Sequence, residues 1–300
     1  MIKGKDTGNY RKGFAAVTGA MVLWGILPVY WKALIPINSW VIIIYRIFLV
    51  HVTALAFARI RYSWDEILRP LKENRKVVFR LFCVGAVVTL NWSTYIWAVN
   101  AGFIIQTSIG YYIEPLVVCL FGMIIFREKL TSFRAAALIL ATGAMIVQLL
   151  HYRQPPVVAL GLALSFAVYT ALKKTVTLPP VISLVYETVL FAPFALGVII
   201  YLEANGKGAL GAGQPYQFVL LLLCGLLTVI PLGLFAFAAQ RISMFALGLL
   251  EYLSPTISMF LGIFVYDEPF ERIILISFAI IWAGLVFFTA GEYREHRLRA

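Results

Sequence analysis

The stretch that decides the fold is GYYIEPLVVCLFGMIIFREKL, residues 110–130, an apolar segment that carries Glu114 beside Pro115. About 20 apolar residues suffice to cross the hydrocarbon core of a bilayer. A carboxylate and a missing backbone amide are both costly in lipid, so they are expected where a helix faces protein or water. The stretch therefore predicts a transmembrane helix that lines an internal polar site.

The whole chain has the composition of a polytopic membrane protein. Its 300 residues are 62% hydrophobic and 13% charged, which excludes a soluble globular domain. The apolar runs predict an all-α membrane protein with ten transmembrane helices. The predicted spans are 13–34, 40–60, 77–99, 103–126, 133–150, 157–173, 180–202, 217–240, 243–266 and 272–290.

The basic residues predict both the partner and the orientation. The net charge of +11 does not indicate nucleic-acid binding, because the basic residues fall between the spans, where they contact anionic lipid of the bilayer. One set of loops, which includes both termini, carries 20 Lys or Arg and the opposite set carries three. Basic loops stay on the cytoplasmic side, so both termini are predicted to be cytoplasmic.

The two halves of the chain share a sequence repeat. Residues 110–130 align with LEYLSPTISMFLGIFVYDEPF, residues 250–270, so that Pro115 falls on Pro255. Two further pairs of segments align at nearly the same offset, 19–32 with 161–174 and 41–49 with 182–190. Each half has five predicted spans, an odd number, so the halves must insert in opposite directions. Inverted repeats are typical of transporters, with the substrate site near the midplane.

This repeat sets the predicted domains. The first five-helix repeat is residues 1–150, with an N-terminal tail 1–12, and the second is residues 157–290. Residues 291–300 are predicted to form a cytoplasmic tail.

Several segments resemble the RarD group of the drug/metabolite transporter (EamA-type) superfamily. They are NWSTYIWAVNAGFIIQTSIGYYIEPLVVCLFGMIIFREKL, FAVYTALKK, YETVLFAP and LGLLEYLSPTISMFLGIFVYDE. The resemblance implies a ten-helix carrier of the prokaryotic inner membrane, working as an exporter. It also implies a central cavity formed mainly by the third, fourth, eighth and ninth spans. Glu114 and Glu251 stand where this group is expected to have Asn and Gln.

Two polar stripes are the strongest candidates for a substrate or proton site. On the fourth span Tyr111 and Glu114 lie on one helical face, and Pro115 removes the hydrogen bond to the carbonyl of Tyr111. On the ninth span Glu251 lies on a similar stripe, followed by Pro255. Both prolines are predicted to break their helices, as at many transporter sites. The alternative is that these small and polar residues only cement helix contacts.

Further polar residues at membrane depth are weaker candidates. Arg46 and Glu187 occupy matching positions in the repeat, but their depths place them on different levels, so no direct pair is expected. Arg46 is expected to reach Glu114 or a carboxylate of the solute, or else to have a structural partner. Glu187 is a further candidate for binding solute or a proton. The third span carries Asn91, Trp92 and Tyr95, which would suit an amphiphilic solute or serve as helix contacts.

An enzyme is the less favoured class. The three histidines are scattered without carboxylate or Cys at ligand spacing, and no nucleotide-binding glycine loop is present, so no metal and no cofactor are predicted. The function predicted is a secondary active transporter of small metabolites, amino acids or amphiphilic drugs, working by alternating access with proton coupling. The alternatives are an intramembrane enzyme and a non-transporting structural subunit.

Overall fold

The computed structural model describes residues 7–101, 103–153, 156–266 and 271–297. It confirms the all-α prediction, because these residues form fourteen helices and no strand. The helices are α1 (Thr7–Ala33), α2 (Ser39–Arg61), α3 (Trp64–Glu73), α4 (Arg75–Asn100), α5 (Ile104–Ile124), α6 (Ser132–Tyr152), α7 (Val157–Lys174), α8 (Pro180–Thr188), α9 (Phe191–Ala204), α10 (Pro215–Leu222), α11 (Cys224–Ala239), α12 (Met244–Glu251), α13 (Leu253–Tyr266) and α14 (Arg272–Arg297).

The helices account for most of the predicted spans. By length and composition, eight helices in the described ranges could cross a membrane. A ninth candidate is the pair α8 and α9, which bends by 54°. The remaining predicted span is α5, whose apolar part Ile109–Ile124 is shorter than the others. The count of ten, the inverted repeat and the side on which the termini lie stay predictions.

Helix α3 lies in a segment that the sequence analysis treated as a charged loop. Ser63 and Glu66 form a capping box at its start, in which the Ser63 hydroxyl accepts from the Glu66 amide. The backbone amide and the hydroxyl of Ser63 both donate to the Glu66 carboxylate and lower the pKa of this group. The SWDE sequence at 63–66 is the local signal that predicts this helix start.

The two proline stripes differ in backbone structure. The ninth predicted span is interrupted, since α12 ends at Glu251 and α13 begins at Leu253, so that Pro255 falls in the first turn of α13. Proline is tolerated there because the amide it lacks has no partner within the helix. By contrast, α5 is continuous through Pro115, so the break predicted at this proline is wrong. One missing amide removes one hydrogen bond, and the helix continues on either side of it.

Helices α5 and α12 approach each other closely at Pro115 and Gly248. A Cβ added to Gly248 would lie 2.7 Å from the Pro115 carbonyl oxygen and 2.9 Å from Cys119 Sγ. The Cys119 thiol itself lies 3.5 Å from the Phe245 carbonyl. Glycine at 248 therefore lets the backbones of α5 and α12 touch at Pro115 and Cys119.

Candidate functional site

A cavity of about 620 Å³ lies inside the helix bundle. It brings together most of the residues predicted to bind solute or protons, and both stripe prolines. The predicted residues that line it are Arg46, Asn91, Trp92, Tyr95, Tyr111, Glu114 and Glu251.

The walls differ from those that the family resemblance implied. The third, fourth and ninth predicted spans contribute as expected, through α4, α5, α12 and α13. The eighth contributes only Leu232 among the described lining residues. Helix α1 contributes more, through Met21, Trp24, Leu27, Pro28 and Trp31. These residues recur at three- and four-residue spacing, so one face of α1 forms a wall.

The two cavity acids form no ion pair with the described residues. The Glu251 side chain is buried, and neither carboxylate oxygen has a hydrogen-bond partner among the described residues. Glu114 likewise forms no ion pair with any residue that the structure describes. Both acids line the same cavity. An unpartnered buried acid is costly, so this pair can take up a proton or a cationic group from the cavity.

Arg46 places a positive charge at the same cavity. Its Nε donates to Thr228 Oγ1 at 3.2 Å. Its guanidinium carbon lies 4.0 Å from the centre of the Trp92 ring and 5.3 Å from that of Trp31. No carboxylate of the described residues is within ion-pairing distance, so the predicted absence of a direct pair with Glu187 agrees with the geometry.

The other polar candidates also serve as helix contacts. Asn91 Nδ2 donates to the Leu162 carbonyl at 2.9 Å and to Ser165 Oγ at 2.8 Å, which ties α4 to α7. The rings of Tyr95 and Tyr111 lie 6.3 Å apart and connect α4 with α5. Both tyrosines are partly exposed, so a solute in the cavity can reach them.

Glu187 lies apart from the cavity in a buried ion pair. Lys173 Nζ is 2.5 Å from Glu187 Oε1, and the two side chains are 1% and 2% exposed. Ser183 accepts from Lys173 at 2.9 Å and donates to the same Glu187 oxygen at 2.5 Å. Lys173 is the last residue of the predicted span 157–173, and the structure places it inside α7. This cluster is fully paired, which is what a structural role requires.

A second set of polar contacts closes one face of the bundle. The Glu128 carboxylate accepts from the amides of Met244 and Phe245, at 2.7 and 2.9 Å, and so caps the start of α12. Lys174 Nζ donates to the Ile242 carbonyl at 2.5 Å. Glu128 falls between two predicted spans, yet its side chain is only 13% exposed. We call this side of the bundle the closed face.

The same face is tied together by the two ends of the chain. Tyr10 donates to the Glu292 carboxylate, and Arg134 donates to the same group at 2.5 and 3.0 Å. These contacts join the start of α1, the start of α6 and the last turns of α14. The cavity residues come from the other ends of these helices, late in α1 and early in α14. The cavity therefore lies toward the face opposite the closed face.

The residues predicted from the sequence to bind solute or to form ion pairs did not include Trp31, Gln148 or Lys173. Trp31 was overlooked, although the spacing of Trp24 and Trp31 on one face of α1 was a usable signal. Gln148 donates to Ser277 Oγ at 2.9 Å and lines the cavity. Lys173 could not be recognised, because a lysine at the end of an apolar run is equally typical of a residue that reaches the membrane surface.

The fold and the cavity define a multi-pass helical membrane protein of the transporter class. A sequence model of the EamA-like transporter family matches residues 11–150 and again 156–290, and the chain belongs to this family. A crystal structure of another protein superposes with a TM-score of 0.71 over 92% of this chain and 96% of that chain, at 16% identity, and so shares the fold.

Several relatives match over nearly their whole length. An uncharacterized transporter, YojE, of Bacillus subtilis is 37% identical, with 96% of each chain covered. Protein RarD of Streptomyces exfoliatus is 34% identical, covering 98% of this chain and 93% of the relative. Protein RarD of Salmonella typhi is 31% identical over 97% of this chain and 99% of its own. The resemblance to the RarD group found in the sequence is thereby confirmed.

Proposed function

We propose that this chain is a secondary active carrier that exports small metabolites, amino acids or amphiphilic drugs from a prokaryotic cell across its inner membrane. The observation that carries the proposal is the cavity, which lies toward one face while polar contacts tie the other face shut. A site that faces one side at a time is the basis of alternating access. The export direction rests on the family resemblance.

The acids supply the proposed coupling. Glu114 and Glu251 line the cavity and pair with no cation of the described residues, so each can be neutralised by a proton or by a cationic group of the solute. Two like charges in a low-dielectric site repel, so at least one is expected to be protonated when the cavity is empty. Release of that proton as solute binds would couple the two movements.

Flux through reconstituted protein tests the proposal. Purified protein in liposomes, given an imposed pH gradient, is expected to move a solute that leaves the vesicle chemically unchanged. Candidate solutes come from a metabolite comparison of cells with and without the gene. Conversion of the solute, or no response of any solute gradient to the protein, would contradict the carrier assignment.

The proposed orientation has its own test. Single cysteines at Arg69 in α3 and at Lys207 after α9 are introduced into a variant that lacks Cys83, Cys119 and Cys224. We expect an impermeant thiol reagent to label position 69 only from the cytoplasm and position 207 only from outside. Labelling of both from one side would refute the topology.

A further inference from the structure

Arg46 lies in the interior of the bundle, at the cavity, and none of the described residues supplies a counter-ion for it. It lies seven residues after Ser39, the first residue of α2, which places it about 10 Å along the helix. An arginine at membrane depth pairs with an acid or marks the path of a solute. No acid among the described residues pairs with it, although two acids line the same cavity.

The surroundings of Arg46 hold its side chain in one orientation. Arg46 Nε donates to Thr228 Oγ1, and the rings of Trp31 and Trp92, from two other helices, lie against the guanidinium. Aromatic faces attract a cation without neutralising it. Neither Nη1 nor Nη2 donates to any residue within the described ranges. These two terminal nitrogens form a planar fork whose spacing matches the two oxygens of a carboxylate.

We infer that the transported solute carries a carboxylate, which Arg46 binds through Nη1 and Nη2 between the rings of Trp31 and Trp92. This inference rests on the carrier function proposed above and names its substrate class.

Glu114 and Glu251 restrict the substrate class further. A dianionic phosphate would be repelled by Glu114 and Glu251, whereas a monocarboxylate with a protonated amine satisfies both ends of the site. Glu114 lies ten residues after Ile104, the first residue of α5, or about 15 Å along that helix. It therefore lies deeper than Arg46, so the carboxylate faces the open side and the amine points inward. The solute is an amino acid with an apolar body.

The apolar part of the lining accepts such a body. Between the charged groups the cavity presents Trp24, Leu27, Phe166, Met259 and Phe278. Aromatic and thioether side chains adapt to apolar groups of different shape. Branched and aromatic side chains therefore both fit the site.

Binding by matched compounds tests the inference directly. Thermal unfolding of the purified protein is followed with leucine, leucinamide and isoamylamine, and with phenylalanine, phenylalaninamide and phenethylamine. Each amide or amine keeps the apolar body and loses only the carboxylate. A charge-assisted bidentate contact predicts that the amino acids bind the wild type at least about ten-fold more tightly than their amides. Phenyl phosphate is expected to bind no better than the amides.

Variants identify the residue responsible. Arg46→Gln is expected to abolish the preference for the carboxylate, and Arg46→Lys to retain part of it, because lysine keeps the charge but not the fork. Trp92→Phe should weaken the preference without abolishing it. Arg61→Gln makes the same change at an exposed position and should bind as the wild type does.

The inference would be overturned by equal binding of amides and acids, by a preference that survives in a folded Arg46→Gln protein, or by no stabilisation by any carboxylate. Stronger binding of phenyl phosphate would also overturn it. The liposome assay distinguishes failure of the proposed substrate class from failure of the proposed carrier function. Flux of a solute without a carboxylate refutes the substrate class alone, whereas Arg46-dependent binding without flux of any solute refutes the carrier function alone.

Discussion

Replacement of Lys173 by Met is expected to destabilise the protein strongly, because it leaves Glu187 buried without its counter-ion. The pair is 2.5 Å apart, with side chains 1% and 2% exposed, so water cannot replace the lost ammonium group. Ser183 can still donate one hydrogen bond to the carboxylate. Removal of one partner from a buried ion pair typically lowers the free energy of unfolding by about 3–5 kcal/mol. At roughly 2–4 °C per kcal/mol for a chain of 150–250 residues, the apparent Tm should fall by roughly 6–20 °C.

The measurement is thermal unfolding in detergent for a double-mutant cycle. Lys173→Met with Glu187→Met replaces the pair by two apolar side chains, and this variant should recover most of the lost stability, since such replacements are often neutral. Lys72→Met is the matched control on α3, where the side chain is 70% exposed and lies 3.9 Å from Asp65. Its effect should stay within about 0.5 kcal/mol. If Lys173→Met alone is as stable as the wild type, or if the double variant is worse than the sum of the two single ones, the pairing argument fails.

The remaining predictions concern the cavity and its closure. Glu114→Gln should fold and insert but lose pH-driven flux in liposomes, and full pH-dependent flux would make it a packing group. Glu251→Gln should impair flux less, and a loss as complete as that of Glu114→Gln would contradict this. Gly248→Ala should force α5 and α12 apart, at a cost of about 1–3 kcal/mol, and increase thiol modification of Cys119. Gly143→Ala is the control, since its added Cβ meets nothing within 4 Å, and unchanged Cys119 labelling in Gly248→Ala would refute the close contact.

The sequence predicts the cavity residues better than it predicts their surroundings. An acid beside a proline in an apolar run is rare enough to indicate an internal site, and Glu114 and Glu251 both line the cavity. A pattern of apolar spans does not specify which helices adjoin. The wall formed by α1, and the contacts of Arg46 with Trp31 and Thr228, are therefore seen only in the folded structure.

Matching positions in the repeat also have limits as a guide. Arg46 and Glu187 align, yet one lines the cavity and the other is neutralised by Lys173. A repeat conserves the path of the backbone more strictly than the partners of each side chain. Whether a buried charge is paired depends on a residue elsewhere in the chain, and Lys173 lies fourteen positions before Glu187 on a different helix.

The polar groups of the bundle divide by whether the protein itself satisfies them. On the closed face Glu128 holds two backbone amides, and Glu292 is shared by Tyr10 and Arg134. In the cavity Glu251 has no partner among the described residues, and the terminal nitrogens of Arg46 have none there either. A buried polar group without a partner costs free energy that folding alone does not recover. We therefore regard Glu251 and Arg46, two unsatisfied charged groups that line one cavity, as the groups that a solute or a proton completes in the proposed transport site.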